Sequence, residues 1–406
     1  MRGGTLLIEN VRVLDVETGA VGEAGELLIV DGRIRSTGSG LSAPEGVDRL
    51  DARGGVVTPG FFDCHVHLLS ISTDLVALDD ISPQYATAKA VHTMQGMLSR
   101  GFTTVRDVGG ADHGLAEAAA EGLVAGPRVL FGGKAISQTG GHGDMRPRGR
   151  AAIEGHACHA GIGLVCDGVA EVRRGVRSML RLGADHVKLM LSGGVASPTD
   201  RIDSTQYSDE EVSAAVEEAR AANRYVAAHA YTPQAINRAL DLGVRTIEHG
   251  NLLDESCIAH FIDSGAYYVP TIIATTSYLD EGGMSGLRPE VAAKVEDVAR
   301  RGLEALRIAH EGGVSIAFGT DLLGDVQSRQ LEEFELRARV QGAAEVIRSA
   351  TAVSADAVAR GHELGRIAPG YIADLNLFVS NPADDISVVT GGPLAVVQAG
   401  RVTHRA

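Results

Sequence analysis

Residues 59–67 read Pro-Gly-Phe-Phe-Asp-Cys-His-Val-His. Side chains alternate between the two faces of a β-strand, so His65 and His67 are predicted to point the same way while Val66 points into the opposite layer. Two imidazoles at one strand end are a suitable pair of metal ligands. Such pairs are also common as plain exposed strand residues, so the assignment depends on the rest of the chain.

Composition narrows the class of protein. With 406 residues, 44% of them hydrophobic, the chain can form one large barrel domain and a smaller accessory one, or two to three ordinary domains. The formal net charge of −15 argues against nucleic-acid binding through a basic surface. No apolar run is long enough for a membrane span, and the one near the N-terminus is too short for a signal peptide. The four cysteines form no CxxC pair. We therefore expect a reduced, cytoplasmic protein with no membrane partner.

The two ends of the chain have β-strand patterns. Residues 6–13 and 26–30 are rich in β-branched and aliphatic side chains, and Asp31-Gly32 after them is a hairpin turn signal. Residues 373–379 and 395–402 repeat the pattern at the other end. Because the termini of a domain usually lie close together, the two ends could pair into one sheet assembly.

The middle of the chain alternates short apolar runs with helical patterns. One helix is predicted to begin after Ser208, which has Glu211 three residues later to complete a capping box. Strands that alternate with helices predict a parallel sheet, and eight repeats suggest a (β/α)8 barrel of the TIM type with its chemistry at the C-terminal strand ends. The eight runs are Phe61–His67, Thr103–Val108, Arg128–Ala135, His186–Leu191, Tyr225–His229, Arg245–His249, Tyr267–Thr271 and Val314–Thr320.

Candidate metal ligands fall at or near the ends of these runs, on what would be one face of the barrel. They are His65, His67, Lys188, His229, His249 and Asp321. His229 or His249 alone could be a hydrogen-bonded core residue, and Asp321 could cap a helix. Lys188 is harder to explain, because an unpaired ammonium in an apolar strand carries a large desolvation cost. Either a carboxylate pairs with it or it is modified; a lysine carbamate would be an anionic oxygen ligand suited, with imidazoles, to zinc-like ions.

With these residues the chain resembles the amidohydrolase superfamily in its binuclear-metal, imidazolonepropionase-like branch. The resemblance is carried by residues 59–67, Lys188, His229, 247–250 (Ile-Glu-His-Gly) and 319–321 (Gly-Thr-Asp), and it extends through residues 364–375. Three further segments are similar to Xaa-Pro dipeptidases and to carboxypeptidases that release C-terminal Arg or Lys; they are residues 139–144, 192–200 and 229–233. Ochratoxin-degrading amidases and some carbamate or urea hydrolases look similar too.

The resemblance implies roles for the candidate ligands. His65, His67 and Asp321 would hold one divalent ion, with zinc the expected metal, and His229 and His249 the other. Carboxylated Lys188 and a hydroxide would bridge the two ions. The resemblance also implies a barrel over residues 59–361, a small composite β-sandwich from residues 1–58 and 362–406, and a homo-oligomer, tetramer or octamer.

Amide hydrolysis then assigns the remaining chemistry. Asp321 would accept a proton from the attacking hydroxide and deliver it to the leaving nitrogen. His142, in a glycine-rich loop, and Tyr231 are our candidates for holding a substrate carboxylate. An exposed loop histidine and a tyrosine that only packs at the rim are the alternatives. We expect the loop from Arg146 to Asp167 to border the substrate. Cys158 and Cys166 could pair there, or bind a metal ion with His156 and His159, but we favour unpaired thiols and imidazoles.

Three functions remain open from the sequence. The first is a metal-dependent dipeptidase or carboxypeptidase-like amidase acting on a small dipeptide. The second is an amidase or a carbamate or urea hydrolase acting on N-acyl amino acids or xenobiotics. The third is a non-catalytic barrel that serves as a scaffold, against which the full set of six ligands and a buried lysine argues.

Overall fold

The computed structural model describes residues 3–147, 161–197, 199–279 and 289–406. The loop from Arg146 to Asp167 is therefore described only at its two ends. His156, Cys158 and His159 lie outside the described residues, and the interpretation of that cluster stays a prediction. In the parts of the chain that are described, no helix is long and apolar enough to cross a bilayer.

The strands are numbered in chain order. They are β1 (Leu6–Val13), β2 (Gly25–Val30), β3 (Arg33–Gly38), β4 (Asp48–Asp51), β5 (Val56–Pro59), β6 (Phe61–Val66), β7 (Phe102–Asp107), β8 (Arg128–Phe131), β9 (Ala135–Ser137), β10 (Gly163–Val165), β11 (His186–Met190), β12 (Tyr225–Ala230), β13 (Thr246–His249), β14 (Tyr267–Val269), β15 (Ser315–Ile316), β16 (Leu375–Phe378), β17 (Ala395–Gln398) and β18 (Arg401–Arg405).

The helices follow the same order. They are α1 (Pro83–Ser99), α2 (His113–Glu121), α3 (Gly168–Arg181), α4 (Asp209–Ala221), α5 (Pro233–Asp241), α6 (Ser256–Ser264), α7 (Ile272–Thr276), α8 (Pro289–Glu311), α9 (Glu332–Gln341), α10 (Ala343–Arg348), α11 (Ser354–Ala357) and α12 (Ser387–Thr390). Short 3-10 turns span Leu75–Asp80 and Gly324–Arg329. The predicted capping box of α4 is confirmed, because Ser208 and Glu211 each bind the other's backbone.

Both ends of the chain contribute to one eight-stranded sheet. Its order is β18-β17-β16-β5-β1-β2-β3, with β4 beside β1. Strand β5 joins the two ends, since it runs parallel to β1 and antiparallel to β16, with Pro59 opposite Leu375. The predicted hairpin between β2 and β3 is confirmed: Val30 lies opposite Arg33, and Asp31 and Gly32 both have the positive φ that such a turn requires.

The strands of the middle region are all parallel to their neighbours. They form one sheet in the order β6-β7-β8 and another in the order β10-β9-β11-β12-β13-β14-β15. Backbone hydrogen bonds link the two sheets to each other at two places. Cys64 N donates to Phe318 O at 2.7 Å on one side, and Asp185 N donates to Phe131 O at 2.8 Å on the other. The C-terminal ends of β6, β11, β12 and β13 therefore face a common region.

Three runs differ from the sequence prediction. The run Arg128–Ala135 is divided into β8 and β9, because Gly132 and Gly133 interrupt it and Gly133 has a φ of 73°. The last run keeps only Ser315–Ile316 as a strand, since the residues after it turn to bond with β6. Residues 395–402 form two strands rather than one, because Ala399 and Gly400, both with positive φ, make a tight turn.

A cluster of phenylalanines packs where helix α9 meets the parallel strands and β16. Phe334 lies at its centre, with ring centroids 4.3 Å from Phe318 and 4.9 Å from Phe61, and all three are fully buried. Phe102 and Phe378 complete the contact with Phe61. This packing ties the sheet built from the chain ends to the strands that carry the candidate site.

Replacing Phe334 with alanine should lower the free energy of unfolding by about 3–5 kcal/mol, the range for leaving a large cavity in place of a buried aromatic ring. Urea unfolding followed by circular dichroism measures the change. Leu123→Ala is the matched control, because Leu123 is 75% exposed and should shift stability by less than about 0.5 kcal/mol. Equal effects of the two substitutions would show that the phenylalanine cluster does not hold the elements together.

Candidate functional site

The predicted ligand residues converge on one cavity at the C-terminal ends of the parallel strands. The cavity has a volume of about 50 Å³. It is lined by His65 and His67 at the end of β6, Lys188 in β11, His229 in β12, His249 in β13 and Asp321 after β15, together with His142. Residues 256 positions apart in the chain are thereby brought together, as the placement on strand ends predicted.

His65, His67 and Asp321 form the tightest group. One nitrogen of each ring and a carboxylate oxygen of Asp321 all lie within 4.8 Å of one another. The Nε2 atoms of His65 and His67 are 3.5 and 3.4 Å from Asp321 Oδ1. Two imidazoles and a carboxylate at this spacing are a donor set suited to a divalent metal ion.

His229 and His249 lie beside this group. Their ring centroids are 4.7 Å apart, and the ring of His249 is also 4.7 Å from that of His65. His249 Nδ1 is 3.8 Å from Asp321 Oδ2, the second oxygen of the same carboxylate. Asp321 therefore stands between the two pairs of histidines.

Each of the four imidazoles has one ring nitrogen engaged by a hydrogen bond. Carbonyl and carboxylate oxygens can only accept, so a ring nitrogen bonded to one of them carries the proton and the other nitrogen is left with a free lone pair. The bonds are His65 Nδ1 to Glu248 Oε2 (2.8 Å), His67 Nδ1 to Gly109 O (2.7 Å), His229 Nε2 to Gly193 O (3.1 Å) and His249 Nδ1 with the hydroxyl Oγ1 of Thr271 (2.9 Å).

These histidines are held in the neutral form. Burial is the first cause, and it lowers the pKa of His65, His229 and His249 well below the ordinary value. The same effect lowers the pKa of His67 to about 4. A neutral imidazole is the form that binds metal ions, so the electrostatics of the cavity agree with the donor geometry.

Lys188 is fully buried, and its Nζ atom has no hydrogen-bond partner. Burial lowers the pKa of this amine. Two nearby carboxylates, Glu248 and Asp321, attract its charge, but neither accepts a hydrogen bond from Nζ, and both oxygens of Glu248 are engaged elsewhere. Oε1 accepts from Arg106 at 2.7 Å and from Thr246 at 2.5 Å, and Oε2 accepts from His65. The sequence alternatives for Lys188 were pairing and modification, and hydrogen-bonded pairing is not observed.

Strained backbone conformations occur at three positions around the cavity. His249, Thr271 and Asp321 have φ values of 71°, 46° and 53°, which are costly for residues with a Cβ atom. The positive φ of His249 ends strand β13, so that Glu248 and His249 both contact His65 although alternation would separate them. Asp321 is fixed by its N–H, which donates to His65 O at 2.8 Å.

His142 is buried rather than exposed in its loop. Its ring stacks on His229 with centroids 4.0 Å apart and an interplanar angle of 21°. Nδ1 lies 2.9 Å from Ser197 Oγ and 3.5 Å from Asp200 Oδ2. Burial acts to raise the pKa of the Asp200 carboxyl, but the hydrogen bonds from His142 and Ser197 together have the larger effect. The pKa of Asp200 therefore lies below its ordinary value. The exposed-histidine alternative is therefore wrong.

Tyr231 packs directly against two of the candidate ligands. Its ring is stacked on His249, with centroids 5.4 Å apart, and meets the ring of His229 edge-on at 5.0 Å. Only 4% of the residue is exposed. Burial raises the pKa of its hydroxyl, and the charge of Asp321 adds to this. The tyrosine keeps its proton at neutral pH and can donate a hydrogen bond.

The outer wall of the cavity is apolar. Its lining residues are Leu75, Ile162, Met190, Ala196 and Leu323. They come from five separate segments, and four of them pack with Leu78 and Met145 as a small hydrophobic cluster. Among the described residues that line the cavity, Asp321 is the only acidic one.

Comparison with known proteins agrees with this geometry. The model of the amidohydrolase family matches residues 56–402, a range that contains all six candidate ligands. This chain belongs to the amidohydrolase family. It is an enzyme of the class that hydrolyses carbon–nitrogen bonds. Amidohydrolases are typically metal-dependent, and the group formed by His65, His67 and Asp321 is a candidate metal-binding site.

Three similar proteins define the neighbourhood of this amidohydrolase. Ochratoxinase of Aspergillus niger is 34% identical over 353 residues, which are 82% of this chain and 72% of that protein. A prolidase solved in complex with N-methylphosphonate-L-proline is 44% identical, with a TM-score of 0.96 over 99% of this chain and 100% of the other. A Xaa-Pro dipeptidase with bound methionine is 30% identical, with a TM-score of 0.89 over 99% and 100%.

Several residues of this amidohydrolase's site were not singled out from the sequence. Arg106 and Glu248 are charged residues inside apolar runs, the same signal that made Lys188 conspicuous. Ser197 and Asp200 reach His142 from a loop more than 50 residues later, and Thr271 reaches His249 across a strand. No local pattern predicts these last contacts, because they depend on how separate loops fold over the strand ends.

Proposed function

We propose that this amidohydrolase hydrolyses the amide bond of small dipeptides, using two divalent metal ions, with zinc expected. The observation that carries the proposal is the convergence of six ligand-type side chains from five segments on one cavity, with the buried amine of Lys188 left without a hydrogen-bond partner. His65, His67 and Asp321 would hold one ion, and His229 and His249 the other.

Lys188 fits this proposal as a carboxylated bridging residue. Its uncharged amine would attack carbon dioxide, forming a nitrogen–carbon bond and releasing a proton, and the product is an anionic carbamate. Burial lowers the pKa of the amine and so favours the uncharged form that reacts. The free Nζ atom has no bond to break first. A carbamate would supply the anionic oxygens that two cations need, whereas an ammonium would repel them.

The chain's own residues account for the proton movements. When bound, divalent ions lower the pKa of water and act as Lewis acids toward a carbonyl oxygen. Asp321 would accept the proton of the attacking water and deliver it to the nitrogen of the leaving amine. Burial alone raises the pKa of the Asp321 carboxyl above its ordinary value, and a bound cation would lower it again.

Substrate recognition would combine a polar anchor and an apolar wall. His142 lines the cavity and would bind a free carboxylate next to the scissile amide, because an imidazole can donate a hydrogen bond to it. Tyr231 does not line the cavity but packs on His229 and His249, and its phenol would be the second donor. The wall containing Leu75, Ile162 and Leu323 would take an apolar side chain. A C-terminal Arg or Lys would find no carboxylate but Asp321 among the described lining residues. We therefore favour Xaa-Pro and other apolar dipeptides over basic ones.

The similarity to ochratoxinase supports a second candidate, an amidase or carbamate or urea hydrolase acting on N-acyl amino acids or xenobiotic amides. A single panel separates the two. Zinc-loaded enzyme is assayed against Xaa-Pro dipeptides, dipeptides ending in Arg or Lys, N-acyl amino acids, ureas and carbamates. Apolar dipeptides should have the highest kcat/KM. A preference for N-acyl amino acids or carbamates would move the second candidate ahead, and no hydrolysis of any amide would overturn both.

Replacing Tyr231 with phenylalanine should lower kcat/KM for dipeptides, because the charged carboxylate loses a hydrogen bond. The corresponding loss of transition-state stabilisation should be about 1–3 kcal/mol. The C-terminal amide of the same dipeptide should lose less. Tyr85→Phe is the control variant, since Tyr85 is exposed on α1 and should leave both substrates unchanged. If the wild-type enzyme cleaves free acids and amides equally well, the pocket does not recognise a carboxylate.

The architecture is part of the proposal. We propose that the parallel strands of the middle region close into a (β/α)8 barrel over residues 59–361, which the backbone bonds between the two sheets support. Residues 1–58 and 362–406 would form the composite β-sandwich, as the shared sheet of the two ends supports. The buried free thiols of Cys64, Cys166 and Cys257 fit a cytoplasmic setting. A tetramer or octamer is expected, and sedimentation velocity measures it.

A further inference from the structure

The four site imidazoles differ in the charge of the group that holds them. His67 and His229 donate to backbone carbonyls, and His249 bonds a hydroxyl, all of which are neutral oxygens. His65 alone donates to a carboxylate, that of Glu248, at 2.8 Å. An anionic acceptor makes an imidazole a stronger electron-pair donor at its other nitrogen than a neutral one does.

The carboxylate of Glu248 is built into the interior. Its side chain is completely buried, as is that of Arg106, whose NH2 group donates to Glu248 Oε1 at 2.7 Å. Arg106 is itself fixed by Cys64 O at 2.6 Å and Thr246 Oγ1 at 3.0 Å. A buried carboxylate without such a partner would be strongly destabilising, and the guanidinium holds the Glu248 side chain in place beside His65.

We propose that the buried Glu248–Arg106 pair positions His65, keeping its proton on Nδ1 and its Nε2 lone pair turned toward Asp321. Glu248 and Arg106 are positioning residues, because neither lines the cavity. The inference rests on the proposed function in one respect, namely that His65 is a metal ligand. The ion held by His65, His67 and Asp321 would then owe part of its affinity to the chain of hydrogen bonds from Arg106 through Glu248 to His65. This chain, called the relay below, lies outside the ligand set.

The relay predicts different tautomers for different ligands. His65 Nε2 is 3.5 Å from Asp321 Oδ1, so His65 would bind through Nε2. His229 donates from Nε2 to Gly193 O, so it would bind through Nδ1. The two rings should therefore carry their protons on opposite nitrogens, and this contrast does not depend on any substitution or on catalytic activity.

Glu248→Gln tests the relay through metal affinity. The amide keeps the shape and an oxygen for His65 but removes the negative charge, so competition with a zinc chelator should show about a 10- to 100-fold weaker affinity for one of the two ions. Thr271→Val is the matched control, since it removes the neutral partner of His249 and should weaken binding less. A folded Glu248→Gln protein that binds both ions with wild-type affinity would overturn the proposal.

Loss of Glu248 leaves Arg106 buried and unpaired, so the single variant can fail to fold. The double variant Arg106→Met/Glu248→Gln removes both charges together and should fold with the same weakened affinity. Histidine-selective nitrogen-15 NMR of the zinc-loaded wild type tests the relay without substitution, and a His65 ring with its proton on Nε2 would overturn it. Wild-type protein that binds no divalent ion in the chelator assay would instead overturn the proposed function.

Discussion

Replacing His67 with alanine should leave a folded protein that has lost most of one bound metal ion and nearly all of its hydrolytic activity. His67 Nε2 lies 3.4 Å from Asp321 Oδ1, and its other nitrogen is anchored to Gly109 O, so the ring is fixed toward the metal-binding group. Metal ions contribute several kcal/mol to the transition state, so the rate should fall by roughly a thousandfold or more.

Elemental analysis after dialysis and the dipeptide assay measure the two losses. His92→Ala is the matched control, because His92 is an exposed histidine in the middle of α1 and not at the end of a strand. It should retain the wild-type metal content and rate. Circular dichroism checks that both variants are folded. Wild-type activity in His67→Ala would contradict the assignment of His67 as a ligand, whatever the metal content.

The positions that the sequence predicted well share a physical feature. His65, His67, His229 and His249 lie at strand ends, where a period of two and parallel strand order determine which way a side chain points. Lys188 stood out because a charge inside an apolar strand must be compensated. These inferences need only the local pattern and the order of the elements, and the structure brings all of these side chains to one cavity.

The positions that the sequence did not predict depend on backbone geometry that leaves no local pattern. Alternation predicts Glu248 and His249 on opposite faces, yet both contact His65, and His249 has a positive φ. The stacking of His142 on His229 depends on Ser197 and Asp200, which reach it from a different loop. Such contacts are set by tertiary packing over the strand ends.

Lys188 shows how the two kinds of reasoning combine. The sequence indicates that its ammonium must be either paired or modified. The structure shows that Glu248 is bonded to Arg106, Thr246 and His65, which leaves Nζ without a hydrogen-bond partner. Neither observation alone favours carboxylation, but together they leave a buried amine without a hydrogen-bond partner beside two groups of ligands that would hold cations.

Replacing Lys188 with alanine should therefore abolish activity and prevent both ions from binding together. The variant would remove the proposed anionic bridge while leaving all four histidines and Asp321 in place, so one weakly bound ion is the expected metal content. We expect a loss of activity at least as large as for His67→Ala. A short carboxylic acid such as propionate should restore part of the rate, because its carboxylate can occupy the space of the missing carbamate.

The rescue separates a bridging role from a structural one, because a lysine that only supported the fold would not be replaced by a soluble carboxylate. Lys89→Ala is the matched control, since Lys89 is exposed on α1 and should respond neither to substitution nor to propionate. Wild-type enzyme loaded with zinc and carbon-13 bicarbonate should show a carbamate carbon resonance that Lys188→Ala lacks. An electron-density map with two bound ions and an unmodified Lys188 would contradict carboxylation, and the two cations would then need another anion between them.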